Sequence, residues 1–195
     1  MSQLTPPAVP HELVHTRQIT FRGYLQEDKL WNIEAELVDT KPYDFVMPHR
    51  SVEAGEPIHS MAIRLTIDDQ MTVRDVVTSM KYAPLDECRL VLNPMQSIIG
   101  LTMGPGWRGA IDKVIGGTKG CTHMRDLLYN AATAAYLMIP SYKAYLLRKA
   151  GKPVPPYITP PPQLGKCLPW TLDGPLTKRF MPQFYARKDS SGDES

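Results

Sequence analysis

The sequence predicts an α+β protein: an antiparallel four-stranded meander made of two hairpins, followed by a helical layer and a Pro-rich C-terminal arm. Three observations predict it. Apolar and polar residues alternate in four stretches between His15 and Met80, the period of strands with one covered face. After Pro84 the period turns helical and glycines punctuate it, and nine prolines then crowd residues 153–182. At 195 residues, 43% hydrophobic and 22% charged, the chain has the length and composition of one domain with a full core. The expected organisation is a mobile lead-in over 1–13, a single α+β domain over 14–151, and an extended arm with a disordered tail over 152–195.

Each element has its own signal. On one parity of the first strand lie His15, Arg17, Ile19, Phe21, Gly23 and Leu25. Glu27-Asp28-Lys29 makes a polar turn, and Trp31, Ile33, Ala35 and Leu37 then share one side while Asn32, Glu34 and Glu36 take the other. A loop rich in Pro and Gly is expected from Val46 to Pro57. The second hairpin is expected to run from Ile58 to Ile67 and from Met71 to Met80, turning at Asp68-Asp69-Gln70. In the helical part, Leu85–Ile99 is expected to hold a short helix limited by Pro94, and Trp107–Ile115 a second one. Gly116, Gly117 and Gly120 frame a loop before a long helix from Cys121 to Ile139, which Pro140 should kink or stop. Ser141–Ala150 reads as a further helix closed by Gly151. The prolines of 153–182 exclude regular structure, yet Trp170, Phe180, Phe184 and Tyr185 are more aromatic surface than a linker carries. They suggest an arm that wraps its own domain or a neighbouring subunit, so a homo-oligomer is expected. Lys188–Ser195 reads as disordered.

Composition narrows the function classes. Twenty-two basic and 20 acidic side chains leave a net charge of +2 with no long run of either sign, so nucleic acid and anionic membranes are not expected partners. The opening MSQLTPPAVPHELVH lacks the basic start and apolar core of a signal peptide. The longest apolar stretch, Ala131–Pro140, is half of the ~20 residues a membrane helix needs. Cys88, Cys121 and Cys167 are odd in number and dispersed, without disulfide or zinc-knuckle spacing. The expectation is a cytoplasmic protein with no metal and no cofactor.

Candidate chemistry lies in three places. Continuing the register of the first hairpin sets Arg17 opposite Asp39 and His15 opposite Lys41, with Tyr43 next. The inward face is thus apolar near the turn and becomes His15, Arg17, Asp39, Lys41 and Tyr43 at its open end. Polar groups on a face that begins as core need each other, a ligand or water, because unpaired burial costs several kcal/mol. A slip of one residue would scatter them. His59, on the apolar parity of its strand, is either a core residue with a backbone partner or a general acid or base. The segment Gly116-Gly117-Thr118-Lys119-Gly120-Cys121-Thr122-His123 enters the long helix, whose free N–H groups can hold an anion or lower a thiol pKa. It lacks the order of a Walker loop. Cys121 is either a small packed residue or, if it stands in the cap, a partner of His123.

His15-Thr16-Arg17, Arg22-Gly23-Tyr24, Asp39-Thr40-Lys41 with Tyr43, Ala54-Gly55-Glu56-Pro57-Ile58-His59, Arg64-Leu65-Thr66-Ile67-Asp68, Gly104-Pro105-Gly106-Trp107 and Gly120-Cys121-Thr122-His123 together resemble a bacterial family, domain of unknown function 2889. The resemblance is collinear over residues 15–139 and leaves out the Pro-rich tail. Where that family often has a cysteine before Arg-Gly-Tyr, this chain has Phe21, which argues against a metal cluster using that position. The resemblance implies a bacterial source and catabolism of aromatic or acyl compounds; it supplies no reaction.

Two readings follow. In the first, Lys41, Tyr43, His15 and His59 move protons while Arg17 and Asp39 bind the substrate, with Trp31, Trp107, Cys121 and His123 also lining its site. Ten methionines and three tryptophans can line an apolar pocket for an aromatic ring. A phenolic substrate ionised there can break a side-chain bond, which makes a carbon–carbon lyase the expected enzyme, with hydrolysis of a thioester or phosphate by Cys121 and His123 as the alternative. In the second, the protein is a binding or assembly module and the polar cluster is a structural ion-pair network.

Overall fold

Four long strands make one antiparallel sheet in the order β1-β2-β5-β6: β1 (Thr16–Leu25), β2 (Trp31–Thr40), β5 (Pro57–Ile67) and β6 (Val73–Tyr82). Between the second and third of them the chain makes a separate two-stranded ribbon, β3 (Phe45–Met47) with β4 (Arg50–Val52). These coordinates form a computed structural model that describes residue 5 and residues 8–47 and 50–186. The expected disorder of 188–195, and part of the expected lead-in (1–4 and 6–7), lie outside the described residues.

The first hairpin has the register the alternation predicts: Leu25 pairs with Trp31, Phe21 with Ala35, Ile19 with Leu37 and Arg17 with Asp39. Lys29 takes a positive φ of 73° in the turn, where the N–H of Gln26 bonds the carbonyl of Leu30. In β2 the odd positions are buried and the even ones half-buried, the signature of a sheet covered on one face. Trp31, Ile33, Ala35 and Leu37 join Met61, Ile63, Leu65 and Ile67 of β5 in the core. The outer face carries cross-strand charge pairs, Arg22 with Glu36 at 2.7 Å and Arg64 with Glu34 at 3.7 Å. A concavity of about 200 Å³ lies there, lined by residues that include Glu34, Glu36, Arg64 and Val77.

The loop expected over Val46–Pro57 instead contains β3 and β4, whose Met47 and Val52 bury against Ile58 in a small cluster of their own. Phe-Val-Met and Arg-Ser-Val are too short to show alternation, so only the pairing reveals them. The segment after Pro84 winds as a 3₁₀ helix over Asp86–Ile98, with Pro94 inside and Met95 and Ile98 buried. Then α1 (Trp107–Ile115) follows the glycine turn, and α2 (Thr122–Lys149) supplies Met124, Leu127, Leu128, Ala131, Ala135 and Ile139 to the core. Gly23 of β1 lies under Met138: a Cβ there would come within 2.5 Å of its sulfur, so the missing side chain is what permits this close approach.

Pro140 does not end the helix, which runs on to Lys149. A mid-helix proline removes one donor, and the remaining ladder carries the turn through it. The helix closes as expected on Gly151, at φ 67°, with the N–H of Lys152 on the carbonyl of Leu147. By its contacts the chain divides into two compact units, Met1–Ile139 and Pro140–Ser195. The second contains three short helical pieces where prolines were expected to exclude regular structure: Leu168–Trp170, α3 (Pro175–Phe180) and Pro182–Phe184. Each begins with proline in its first positions, where the missing N–H has no helical partner to lose. The arm is tied to itself by Gly165 N–H to the carbonyl of Trp170, Ala186 N–H to that of Leu172, and the tilted contact of the Trp170 and Phe180 rings, 6.4 Å between centroids. Among the described residues no helix is long and apolar enough to cross a membrane.

Candidate functional site

The inward row of the sheet changes character at the end where β1 begins and β2 finishes. Arg17, Asp39 and His59 occupy adjacent positions across β1, β2 and β5, because Arg17 pairs with Asp39 and Asp39 with His59. Direct cross-strand neighbours stand ~4.5–5.5 Å apart, so three polar side chains project together where the preceding rows are wholly apolar. A register irregularity follows at once, between Asp39 and Thr40 on the β5 side. Bulges of this kind re-aim side chains beside sites.

Asp39 is the centre of the cluster, 1% exposed. Its Oδ1 accepts from Arg17 Nε at 2.8 Å and His15 Nε2 at 3.1 Å. Its Oδ2 accepts from Arg17 Nη2 at 2.8 Å and His59 Nδ1 at 2.9 Å. Burial works against the charge of Asp39, but the bonds from Arg17 and His15 and the fields of Arg17 and His59 outweigh it and hold the carboxyl at about 2. An ionised carboxylate only accepts, so His59 carries its proton on Nδ1 and, when neutral, leaves Nε2 bare. Burial, the neighbouring His123 and Arg17 push the His59 pKa below the ordinary histidine value, against the pull of Asp39.

The start of α2 completes the group. The N–H of Arg125 bonds the carbonyl of Cys121 at 3.0 Å, which makes Cys121 the N-cap residue, outside the first turn. From there its Sγ reaches His123 Nδ1 at 3.7 Å. Burial would raise the thiol pKa; the bonds from His123 and from the N–H groups of Met124 and His123 outweigh it, and the thiol sits below its ordinary value. The His123 ring in turn lies 4.4 Å, centroid to centroid, from that of His59. Gly116 and Gly120 set this entry: a Cβ on either would stand within 2.1 Å of the Asp112 carbonyl oxygen or 2.4 Å of that of Ile115. A continuous chain of contacts therefore runs Arg17–Asp39–His59–His123–Cys121, with His15 on the carboxylate.

The other expected residues stand apart. Lys41 donates to the Tyr43 hydroxyl at 2.9 Å and lies over the Tyr43 and Phe45 rings. This pair faces solvent, and no hydrogen bond or ion pair among the described residues joins it to Asp39. Trp31 and Trp107 are core side chains, their indole N–H groups bonded to Asp69 and to the Leu128 carbonyl. Trp31 is eight residues from Asp39 along one strand, or ~27 Å. The link between His59 and His123 is what sequence reading missed. Each was visible alone, on a strand and at a helix start, but nothing local in the sequence brings the two elements together.

A protein-family model described as "Protein of unknown function (DUF2889)" matches residues 15–137, a span that contains every member of this chain of contacts. No curated protein and no solved structure matches the chain.

Proposed function

The chain belongs to the DUF2889 family of proteins of unknown function, and we propose that it is an acid–base enzyme of small-molecule catabolism that works without an organic cofactor. The observation that carries this reading is the bond from His59 Nδ1 to the buried Asp39. It fixes the ring and its tautomer, so that Nε2 presents a lone pair, the arrangement by which a carboxylate orients a histidine base. Arg17 and His15, both partly exposed, lie beside it and suit the anionic end of a substrate. The specific reaction proposed is carbon–carbon cleavage of a phenolic compound, retro-aldol or decarboxylating, in keeping with the aromatic catabolism that the family resemblance implies. In the retro-aldol case His59 takes the proton of a hydroxyl group. As that oxygen becomes a carbonyl, the neighbouring carbon–carbon bond breaks, and its electron pair is protonated on the departing fragment. Lys41 and Tyr43, at the exposed end of the same stretch, are the proposed proton donors to that fragment.

A second reading rests on Cys121. A capped, depressed thiol with His123 at 3.7 Å suits nucleophilic hydrolysis of a thioester or phosphate. Turnover of a panel of phenolic β-hydroxy and carboxylic substrates, with aldehyde or carbon dioxide as the readout, separates the two. His59→Gln should lower the rate by about a hundredfold or more, and Cys121→Ser should change it little. Thioester cleavage abolished by Cys121→Ser and spared by His59→Gln would reverse the assignment. No turnover in either panel, from a folded protein, would leave the cluster a structural network in a binding module.

The Pro-rich arm is proposed to join copies of the chain in a cytoplasmic homo-oligomer. Ile158 and Leu168, 91% and 90% exposed, are the most open large apolar side chains among the described residues, and covering them with a second copy would take their apolar area out of water. Sedimentation of the full chain and of Ile158→Ser/Leu168→Ser should show the variant shifted to the monomer; identical profiles would refute the role.

A further inference from the structure

We propose that Asp39, His59 and His123 form a binding site for one divalent first-row transition metal ion such as Zn²⁺. Asp39 offers an oxygen and each histidine a ring nitrogen, and these three ligand atoms all lie within 4.8 Å of one another. Two ligands of a single ion, each ~2.1 Å from it, stand ~3.0 Å apart at right angles and ~4.2 Å apart at most. Asp39 Oδ2 and His59 Nδ1 are already 2.9 Å apart. Ligands of a tetrahedral ion stand ~3.4 Å apart, so the third ligand, within 4.8 Å of the other two, needs to close by up to ~1.4 Å, within reach of a side-chain rotation on the first turn of α2. Two imidazoles and one carboxylate are a ligand set that open zinc and non-haem iron sites use.

The surroundings fit a metal as well as the ligands do. The four contacts on Asp39 divide evenly, two to each oxygen. An ion would replace only the His59 proton on Oδ2. Arg17 would keep both of its bonds and His15 its own, so these two become the outer partners that aim and hold the ligating carboxylate. Three of the five histidines in the chain converge here from positions 15, 59 and 123. Sequence spacing cannot show such a site, because its ligands come from two strands and a helix start.

This inference is independent of the acid–base reading, which concerns the metal-free site, where a proton occupies the place of the ion between His59 and Asp39. The experiment keeps the two apart by measuring metal uptake without substrate. The full chain, stripped with a chelator and dialysed, is titrated with Zn²⁺ by calorimetry and with Co²⁺ by visible absorption. One equivalent per chain is expected, with the d–d bands of a low-coordinate ion. His59→Asn and His123→Asn should each weaken binding at least a hundredfold, and His15→Gln, an outer partner, by ~10–100-fold. His11→Gln, elsewhere in the chain, should leave it unchanged. Folding of each variant is checked by circular dichroism. Uptake well below one equivalent by the folded parent, or equal affinity in the parent, His59→Asn and His123→Asn, would overturn the site. Turnover in the stripped protein bears only on the acid–base reading.

Discussion

Asp39 and Asp68 stand at opposite ends of the same sheet, and their difference shows what marks the candidate site. Both are nearly closed to solvent, both lie below the ordinary carboxylate pKa, and both take two guanidinium nitrogens from an arginine. Asp68 is satisfied by its own turn: the N–H groups of Gln70 and Thr72 bond Oδ1 at 2.9 Å, and Arg74 closes on Oδ2. Every partner is within six residues, and the backbone donors cannot titrate or leave. Among the described residues Asp39 has side-chain partners only, from 20 to 24 residues away, and two of the three are histidines. One carboxylate builds a turn. The other holds groups that can exchange protons or bind an ion, which a fold does not need for its own sake.

The comparison predicts unequal costs. Asp39→Asn strips Arg17 and two histidines of their common acceptor and should destabilise the protein by about 2–4 kcal/mol, as removal of one member of a buried charge cluster does. Urea unfolding at neutral pH with an unchanged m-value measures it. Asp68→Asn keeps an oxygen for the turn N–H groups and loses only its charge on Arg74, so about 1–2 kcal/mol is expected, with turnover and metal uptake intact. A larger cost at Asp68 than at Asp39 would break the comparison.

Acid sharpens it. The folded Asp39 carboxyl titrates at about 2 against an ordinary value of 3.8. Its stabilising contribution is therefore complete above pH ~4 and is lost as the pH falls towards 2. Asp68 shifts in the same direction: burial opposes its charge, but the Thr72 N–H, Arg74 and the Gln70 N–H prevail. Melting temperatures of the metal-free protein should fall between pH 4 and 2, less steeply in either Asn variant. A limb of unchanged slope in Asp39→Asn would show that its charge is not stabilised by folding. The smallest effect belongs to Lys41→Met, which removes exposed contacts with Tyr43 and Phe45 and should change stability by less than about 0.5 kcal/mol. A loss comparable with that of Asp39→Asn would mean that the cluster extends along the chain beyond Thr40.

The sequence by itself determined the α+β class, both hairpins and the register of the first. Alternation of period two, with one apolar parity in each strand, buries Trp31, Ile33, Ala35 and Leu37, and a three-residue loop at Glu27-Asp28-Lys29 then sets Arg17 opposite Asp39. It also marked Gly120-Cys121-Thr122-His123 as a helix entry, since glycine before a helical period is a local signal. The ribbon of β3 and β4 lay below legibility, being three residues a side, and so did the passage of α2 through Pro140. Only the tertiary structure decided the register of β5 on β2 that sets His59 against Asp39, that Cys121 caps its helix, and that His123 meets His59. It also joined Lys41 to Tyr43 in an exposed pair and set Trp31 and Trp107 in the core. The physical reason is range. Periodicity reports which face a residue takes within its own element, whereas a site joins residues far apart in the chain, and packing of the core decides which elements bring them within a few ångströms.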